Sequence, residues 1–71
     1  MSVSVHTSTG AAIIDVDNIA AVVLADTHDW GLHTEIHMVS GTIFSALSYK
    51  GVHGDTAHEW LLRDLAKQGW E

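Results

Sequence analysis

Six of the 71 residues are histidine and none is cysteine. Histidine can act as an acid, a base or a metal ligand, so it is the residue type here with the widest range of possible chemistry. His33, Glu35 and His37 alternate along one predicted strand. Imidazole nitrogen and carboxylate oxygen bind Zn²⁺ at about 2.0 to 2.2 Å. Residues four apart on a strand lie roughly 13 Å apart, so His33 and His37 do not easily share an ion. A metal site would need a third ligand beside His33 and Glu35, for which the candidates are His28, His53 and His58.

The simpler interpretation of these histidines is an exposed polar sheet face, so we expect no metal and no cofactor. His58 is the exception, because it lies on the apolar side of the predicted helix. Protonation of a histidine packed there would loosen the helix. A histidine-based metal or pH sensor is therefore an alternative function.

The acidic groups favour turns over catalysis. Asp15 and Asp17 form one group, and Asp26 and Asp29 flank His28 in another. Aspartates at such spacing accept local backbone hydrogen bonds in turns. Neither a Gly-x-Ser-x-Gly nucleophile turn nor a Gly-x-Gly-x-x-Gly phosphate loop occurs. We therefore expect a protein that is not an enzyme and has no catalytic residues.

The aromatic residues point to an interface. Trp30 lies in a predicted polar loop, Trp60 on the polar side of the helix, and Trp70 beyond the helix end. Tryptophan is enriched at the energetic centres of interfaces. An alternative is that Trp60 and Trp70 fold back over the end of the helix. With an apolar residue of the second sheet face and two loop aspartates, the predicted interface set is Trp30, Phe44, Trp60, Trp70, Asp26 and Asp29.

Strand patterns fill most of the chain before residue 50. Val3 and Val5 alternate with polar residues, and an apolar register resumes at residues 11–14. The apolar run at residues 19–24 is rich in β-branched residues, which favours a buried strand over the alternative of a helical turn. Strands are therefore expected over about residues 3–49.

A β-hairpin is predicted where residues 32–39 and 42–49 flank Ser40 and Gly41. With a two-residue turn, opposed residue numbers add to 81. Met38 then faces Ile43 on the core side, and Phe44 lies on the other face. Ser-Gly is a weak turn signal, and a slip of one residue would exchange the two faces.

A C-terminal helix is predicted over about residues 56–68. Thr56 and Glu59 fit a capping box, and Asp55 is an alternative N-cap. Gly69 suits the position just past the helix end. Ala57, Leu61, Leu62 and Leu65 share one apolar arc, which we expect to pack on the sheet.

Length and charge set the class of protein. The 71 residues suit a single small α+β domain, an antiparallel sheet of three or four strands with the helix packed on it. Nine Asp and Glu against three Lys and Arg give a net charge of −6, which disfavours nucleic acid and anionic membranes as partners. Without disulfides, so small a core gains from oligomerisation, and a homo-oligomer, in the first place a dimer, is expected. We expect a cytoplasmic location, because no signal-peptide pattern is present.

These features favour a small acidic interaction protein that binds and modulates another protein. A phage-encoded inhibitor of a host defence system is one concrete version, resting on size and charge. A structural subunit of a homo-oligomeric assembly is a further alternative.

Overall fold

The computed structural model describes residues 1–70 of the chain. Seven β-strands, one 3₁₀ turn and one α-helix follow each other along it. In chain order they are β1 (Ser2–Thr7), β2 (Gly10–Asp15), the 3₁₀ turn (Val16–Asn18), β3 (Ile19–Thr27), β4 (Gly31–Met38), β5 (Ile43–Ala46), β6 (Ser48–Tyr49), β7 (Val52–His53) and α1 (Gly54–Lys67).

The strands form two antiparallel sheets, with orders β2-β1-β6-β7 and β3-β4-β5. Leu47 joins the sheets, because β5 and β6 lie on either side of it and its N–H donates to the His6 carbonyl at 2.8 Å. The predicted α+β class is confirmed. Its single sheet of three or four strands is wrong in detail, because the predicted strand over residues 42–49 is interrupted at Leu47 and serves both sheets.

The core lies between the inner faces of the two sheets and α1. Alternate residues of β1, including Val3 and Val5, point into it, as the period of a strand requires. The helix supplies a buried row one turn apart, as its apolar arc predicts. The buried apolar residues are Val3, Val5, Ile14, Val16, Ile19, Ile36, Ala46, Tyr49, Ala57, Leu61 and Leu65.

The apolar run after the 3₁₀ turn is a strand, so the helical alternative is wrong. Asp15 ends β2 and accepts the Asp17 N–H at 3.2 Å, as expected of an aspartate at a turn. The strand that follows, β3, extends to Thr27 and pairs only with β4. The predicted burial is therefore wrong for most of its length, because β3 is an edge strand.

The β4–β5 register differs from the prediction by one residue. The Met38 N–H donates to the Thr42 carbonyl at 2.8 Å, which leaves Val39, Ser40 and Gly41 as a three-residue turn. Gly41 has a φ of +96°, the left-handed conformation that such a turn uses at its last position. Opposed residues consequently add to 80, and Ile36 lies opposite Phe44.

Helix α1 begins at Gly54, earlier than predicted. Gly54 has a φ of +64°, so the chain turns from β7 straight into the helix and Thr56 falls inside its first turn. No side chain caps this end, and the predicted capping box is wrong. At the other end, Gly69 has a φ of +90°, and the Trp70 N–H donates to the Leu65 carbonyl at 3.0 Å. This Schellman-type ending confirms the predicted role of Gly69.

Candidate functional site

Trp30 lies in the tight turn His28–Trp30 between β3 and β4. Its ring meets the His33 ring edge to face, with centroids 5.6 Å apart. About half of the tryptophan remains exposed, while His33 is only 1% exposed. Part of the Trp30 ring therefore contacts His33, and the rest is exposed and available to a partner.

Phe44 does not lie on the exposed sheet face predicted for it. Because of the one-residue shift in register, Phe44 is partly buried and packs against the core. Its neighbour Ile43 points outward and is 54% exposed. Ile43 therefore takes the outward place that the sequence interpretation assigned to Phe44.

Trp70 folds back onto the core, as the alternative for it supposes. Its indole N–H donates to the Ile19 carbonyl at 3.3 Å, and its ring is partly buried against the core. Trp60 differs, because it lies on the outer side of α1 and remains 38% exposed. Of the three tryptophans, Trp30 and Trp60 offer the larger exposed surfaces.

The two predicted interface aspartates are both exposed. Asp26 lies near the end of β3, and Asp29 lies in the turn that follows. On the neighbouring strand, Glu35 lies opposite Val23. The surface around the end of β3 is consequently acidic.

The row His33, Glu35 and His37 is built as the strand alternation predicts. The His33 Nδ1 lies 2.9 Å from the Gly31 carbonyl oxygen, and since that oxygen only accepts, Nδ1 carries the hydrogen. The His33 Nε2 is buried, has no hydrogen bond, and lies 4.0 Å from the Glu35 carboxylate. His37 meets the same carboxylate at 3.3 Å. Within residues 1–70, no three metal-ligating side chains come together to hold a metal ion.

His58 does lie at the edge of the core, on the helix face that packs on β4. Its Nδ1 lies 3.1 Å from the hydroxyl of Thr34, which is buried on β4. This hydrogen bond ties α1 to the sheet and gives His58 a structural role.

Sequence reasoning missed the free edge of β3. The Met38 N–H and carbonyl both bond within the β4–β5 turn, so even-numbered residues of β4 direct their backbone groups toward β5. Odd-numbered residues then face β3, where Val23 pairs with Glu35 and Ala25 with His33. It follows from the alternation that the backbone groups of Val22, Leu24 and Asp26 point away from the sheet.

No hydrogen bond joins these outward groups to another part of residues 1–70. Trp70 covers only the start of the edge, at the Ile19 carbonyl. Val23 and Leu24 lie on opposite faces of the strand and are 44% and 41% exposed. We define the β3 edge as residues 21–26, an open strand edge with exposed apolar side chains.

A second polar cluster joins the β6–β7 turn to α1. The Tyr49 hydroxyl donates to the Asp64 carboxylate at 2.6 Å, and Lys50 Nζ donates to the same oxygen at 2.8 Å. These hydrogen bonds, that from Lys50 foremost, hold the pKa of Asp64 below its ordinary value. Burial, together with the neighbouring carboxylate, raises the pKa of Tyr49. Asp64 therefore stays ionised and fixes Lys50 in place.

Comparison with known proteins gives no relative from which to transfer a role: no family model, curated protein or solved structure matches this chain. In the described part of the chain, α1 is the sole α-helix, and it is too short and too polar to cross a membrane.

Proposed function

We propose that this chain is a non-enzymatic interaction protein that binds another protein chain by adding a strand of that chain to the β3 edge. The observation that supports the proposal is the set of outward backbone groups on Val22, Leu24 and Asp26, which have no partner within residues 1–70.

An open edge favours a strand as its partner, because only an extended backbone satisfies a row of alternating donors and acceptors. Natural sheets protect such edges with lysine, proline or bulges. β3 contains neither lysine nor proline. Its one irregularity lies between Ile19 and Ala21, at the end that Trp70 covers. Residues 21–26 are left open.

The side chains around the edge add selectivity. Asp26 and Asp29 place negative charge at its far end, and Glu35 lies on β4 opposite Val23. A partner strand with apolar residues opposite Val23 and Leu24, and basic residues beside Asp26, therefore fits best. Such an acidic rim speeds association with a basic partner more than it strengthens the complex.

A second copy of the chain is one source of that strand, in keeping with the expected dimer. In a two-fold antiparallel pairing centred on Val23, Val22 lies opposite Leu24 of the other copy, and Asp26 lies opposite Ala20. The two Asp26 carboxylates are then separated by six residues of strand, roughly 20 Å. Self-pairing thus joins apolar side chains without opposing like charges.

Because the chain has no cysteine, a single introduced one reports the contact cleanly. Val23 bonds to β4, so in the self-paired edge it occupies a non-hydrogen-bonded position, where facing Cα atoms lie about 4.5 Å apart and a disulfide is possible. We expect Val23→Cys to oxidise to a covalent dimer, and the control Ala66→Cys, on an exposed helix position, to form no covalent dimer.

If the strand comes from a different protein, Val23→Cys carrying a thiol-linked photo-crosslinker captures that protein from an extract, and unlabelled wild type competes. The Val23→Lys variant, which places a charge in the contact, does not compete. Absence of both the dimer and the competed crosslink would overturn the proposal.

A further inference from the structure

All three basic side chains of the protein border one cavity. Lys50, Arg63 and Lys67 are the only lysines and arginines in the sequence, and together with Trp60 and Asp64 they line a cavity of about 200 Å³. The chain as a whole carries a net charge of −6. A cluster of all the lysine and arginine side chains around an exposed tryptophan is therefore a local reversal of the surface charge. The proposed strand pairing at the β3 edge does not involve this cluster.

The helix spacing explains how the cluster forms. Trp60, Arg63 and Lys67 follow one another at intervals of three and four residues, so they share the outer side of α1. Lys50 joins them from the β6–β7 turn, where its hydrogen bond to Asp64 holds it. Asp64 is itself fixed by the hydroxyl of Tyr49, a core residue. Three positive charges and one negative charge leave the cavity cationic.

Lys50 adopts a backbone conformation that does not favour lysine. Its φ is +51°, and among the non-glycine residues of the described chain it alone has a positive φ. Lys50 and Gly51 form the two-residue turn between Tyr49 and Val52, and asparagine is the preferred residue at the first place of such a turn. Asparagine at position 50 would suit the backbone better but would remove one cation from the cavity.

We propose that this cavity binds an organic carboxylate. Arg63 and Lys67 form no hydrogen bond or ion pair with residues 1–70, so their donors are available to the carboxylate. The exposed indole of Trp60 offers a flat apolar surface to the body of the ligand. A singly charged carboxylate is a better match than a phosphate dianion, because the surrounding protein is acidic.

A cavity of about 200 Å³ suits a group of about the size of a benzoate ion or of one terminal residue of a peptide. Both sources present the same chemistry, an apolar group next to a carboxylate. Pocket ligands gain affinity from the apolar body and orientation from a few polar contacts. Here Trp60 supplies the first, and Arg63 with Lys67 supplies the second.

The test is a titration followed through the indole N–H resonance of Trp60, which Trp60→Phe identifies. The probes, at constant ionic strength, are benzoate, the neutral benzamide, inorganic phosphate, and a short peptide ending in phenylalanine as free acid or as amide. We expect saturable shifts with benzoate or the free-acid peptide, and which of the two binds more tightly identifies the source. We expect no saturable shift with benzamide or the amidated peptide, and weaker binding of phosphate.

Variants separate the cavity from the fold. Arg63→Gln should weaken benzoate binding about five-fold, the size expected for one exposed ion pair. Lys50→Asn should also weaken it while leaving the protein folded, and Ala66→Ser, an exposed uncharged change outside the cavity lining, should leave it unaltered. Equal shifts with benzamide, tighter binding of phosphate, or benzoate binding insensitive to Arg63→Gln would overturn the proposal. Val23→Lys should bind benzoate like the wild type, so the outcome is independent of the β3 edge.

Discussion

At the scale of single residues, two polar side chains are fixed by hydrogen bonds, one to the backbone and one to a core residue. His33 donates from Nδ1 to the Gly31 carbonyl and is buried beneath Trp30. Its residue type and strand position were evident in the sequence, but its burial was not. The burial depends on how the β3–β4 turn folds Trp30 over the sheet.

Asp64 gives the protein an acid-sensitive contact. Lys50 and Tyr49 donate to its carboxylate and hold its pKa below the ordinary value of 3.8. Because the folded state binds this proton less readily than the unfolded state, the ionised carboxylate stabilises the fold above about pH 4. That contribution is lost as the pH falls through the lowered pKa. We therefore expect Asp64→Asn to lower the urea midpoint at about pH 7 and to have a smaller effect at about pH 2.

The control for this prediction is Glu59→Gln, which removes an exposed carboxylate on the same helix and should change the midpoint little at either pH. An equal effect of Asp64→Asn at both pH values would show that its charge contributes nothing.

At the scale of elements, the β4–β5 register decides which side chains reach the core. In the observed register Phe44 packs against the core and Ile43 points outward. We expect Phe44→Ser to lower the free energy of unfolding by roughly 2 kcal/mol, since a half-buried aromatic costs less to remove than a fully buried one. Ile43→Ser should lower it by less than about 1 kcal/mol. If Ile43→Ser lowered the free energy of urea unfolding more than Phe44→Ser does, the result would favour the register with a two-residue turn.

The end of α1 depends on a glycine. Gly69 occupies the left-handed conformation that closes the Schellman-type ending. Gly69→Ala should therefore lower the free energy of unfolding by about 1 kcal/mol, the cost of a Cβ in that conformation. Gly69→Asn should cost less, because asparagine tolerates it. Equal losses in thermal or urea unfolding for the two variants would show that the left-handed turn is not what matters.

Sequence patterns predict the elements here better than their pairing. The alternation in β1, the apolar arc of α1 and the role of Gly69 all follow from local periodicity and glycine chemistry. The β4–β5 register did not follow, because Ser40 and Gly41 are compatible with turns of two and of three residues. One residue in the turn moves Phe44 from the exposed face to the core.

The candidate site was harder to predict for a related reason. An apolar run such as residues 19–24 is compatible with a central strand and with an edge strand, and the pattern alone does not distinguish them. Whether β3 has one neighbour or two is decided by distant pairings. The cluster of Lys50 with Arg63 and Lys67 likewise joins a turn to the helix, and no local spacing in the sequence predicts that these residues come together.

At the scale of the whole molecule, the basic side chains and the open backbone edge lie in different parts of the chain. Residues 1–49 carry five Asp and Glu and no Lys or Arg, whereas all the basic residues meet at the cavity beside α1. The acidic part contains the β3 edge. A partner strand and a small carboxylate therefore approach surfaces of opposite sign, and the two proposed sites do not compete for the same ligand.

The β3 edge is most directly tested by amide hydrogen exchange of the purified protein over a dilution series. In the isolated chain we expect fast exchange at Val22 and Leu24, whose N–H groups point away from the sheet, and slow exchange at Val23 and Ala25, whose N–H groups bond to β4. Pairing with a second copy would slow Val22 and Leu24 as the concentration rises, and Val23→Lys would abolish that change. Slow exchange at Val22 and Leu24 that persists in Val23→Lys at the lowest concentration would contradict an open edge, because a covered edge has no room for a partner strand.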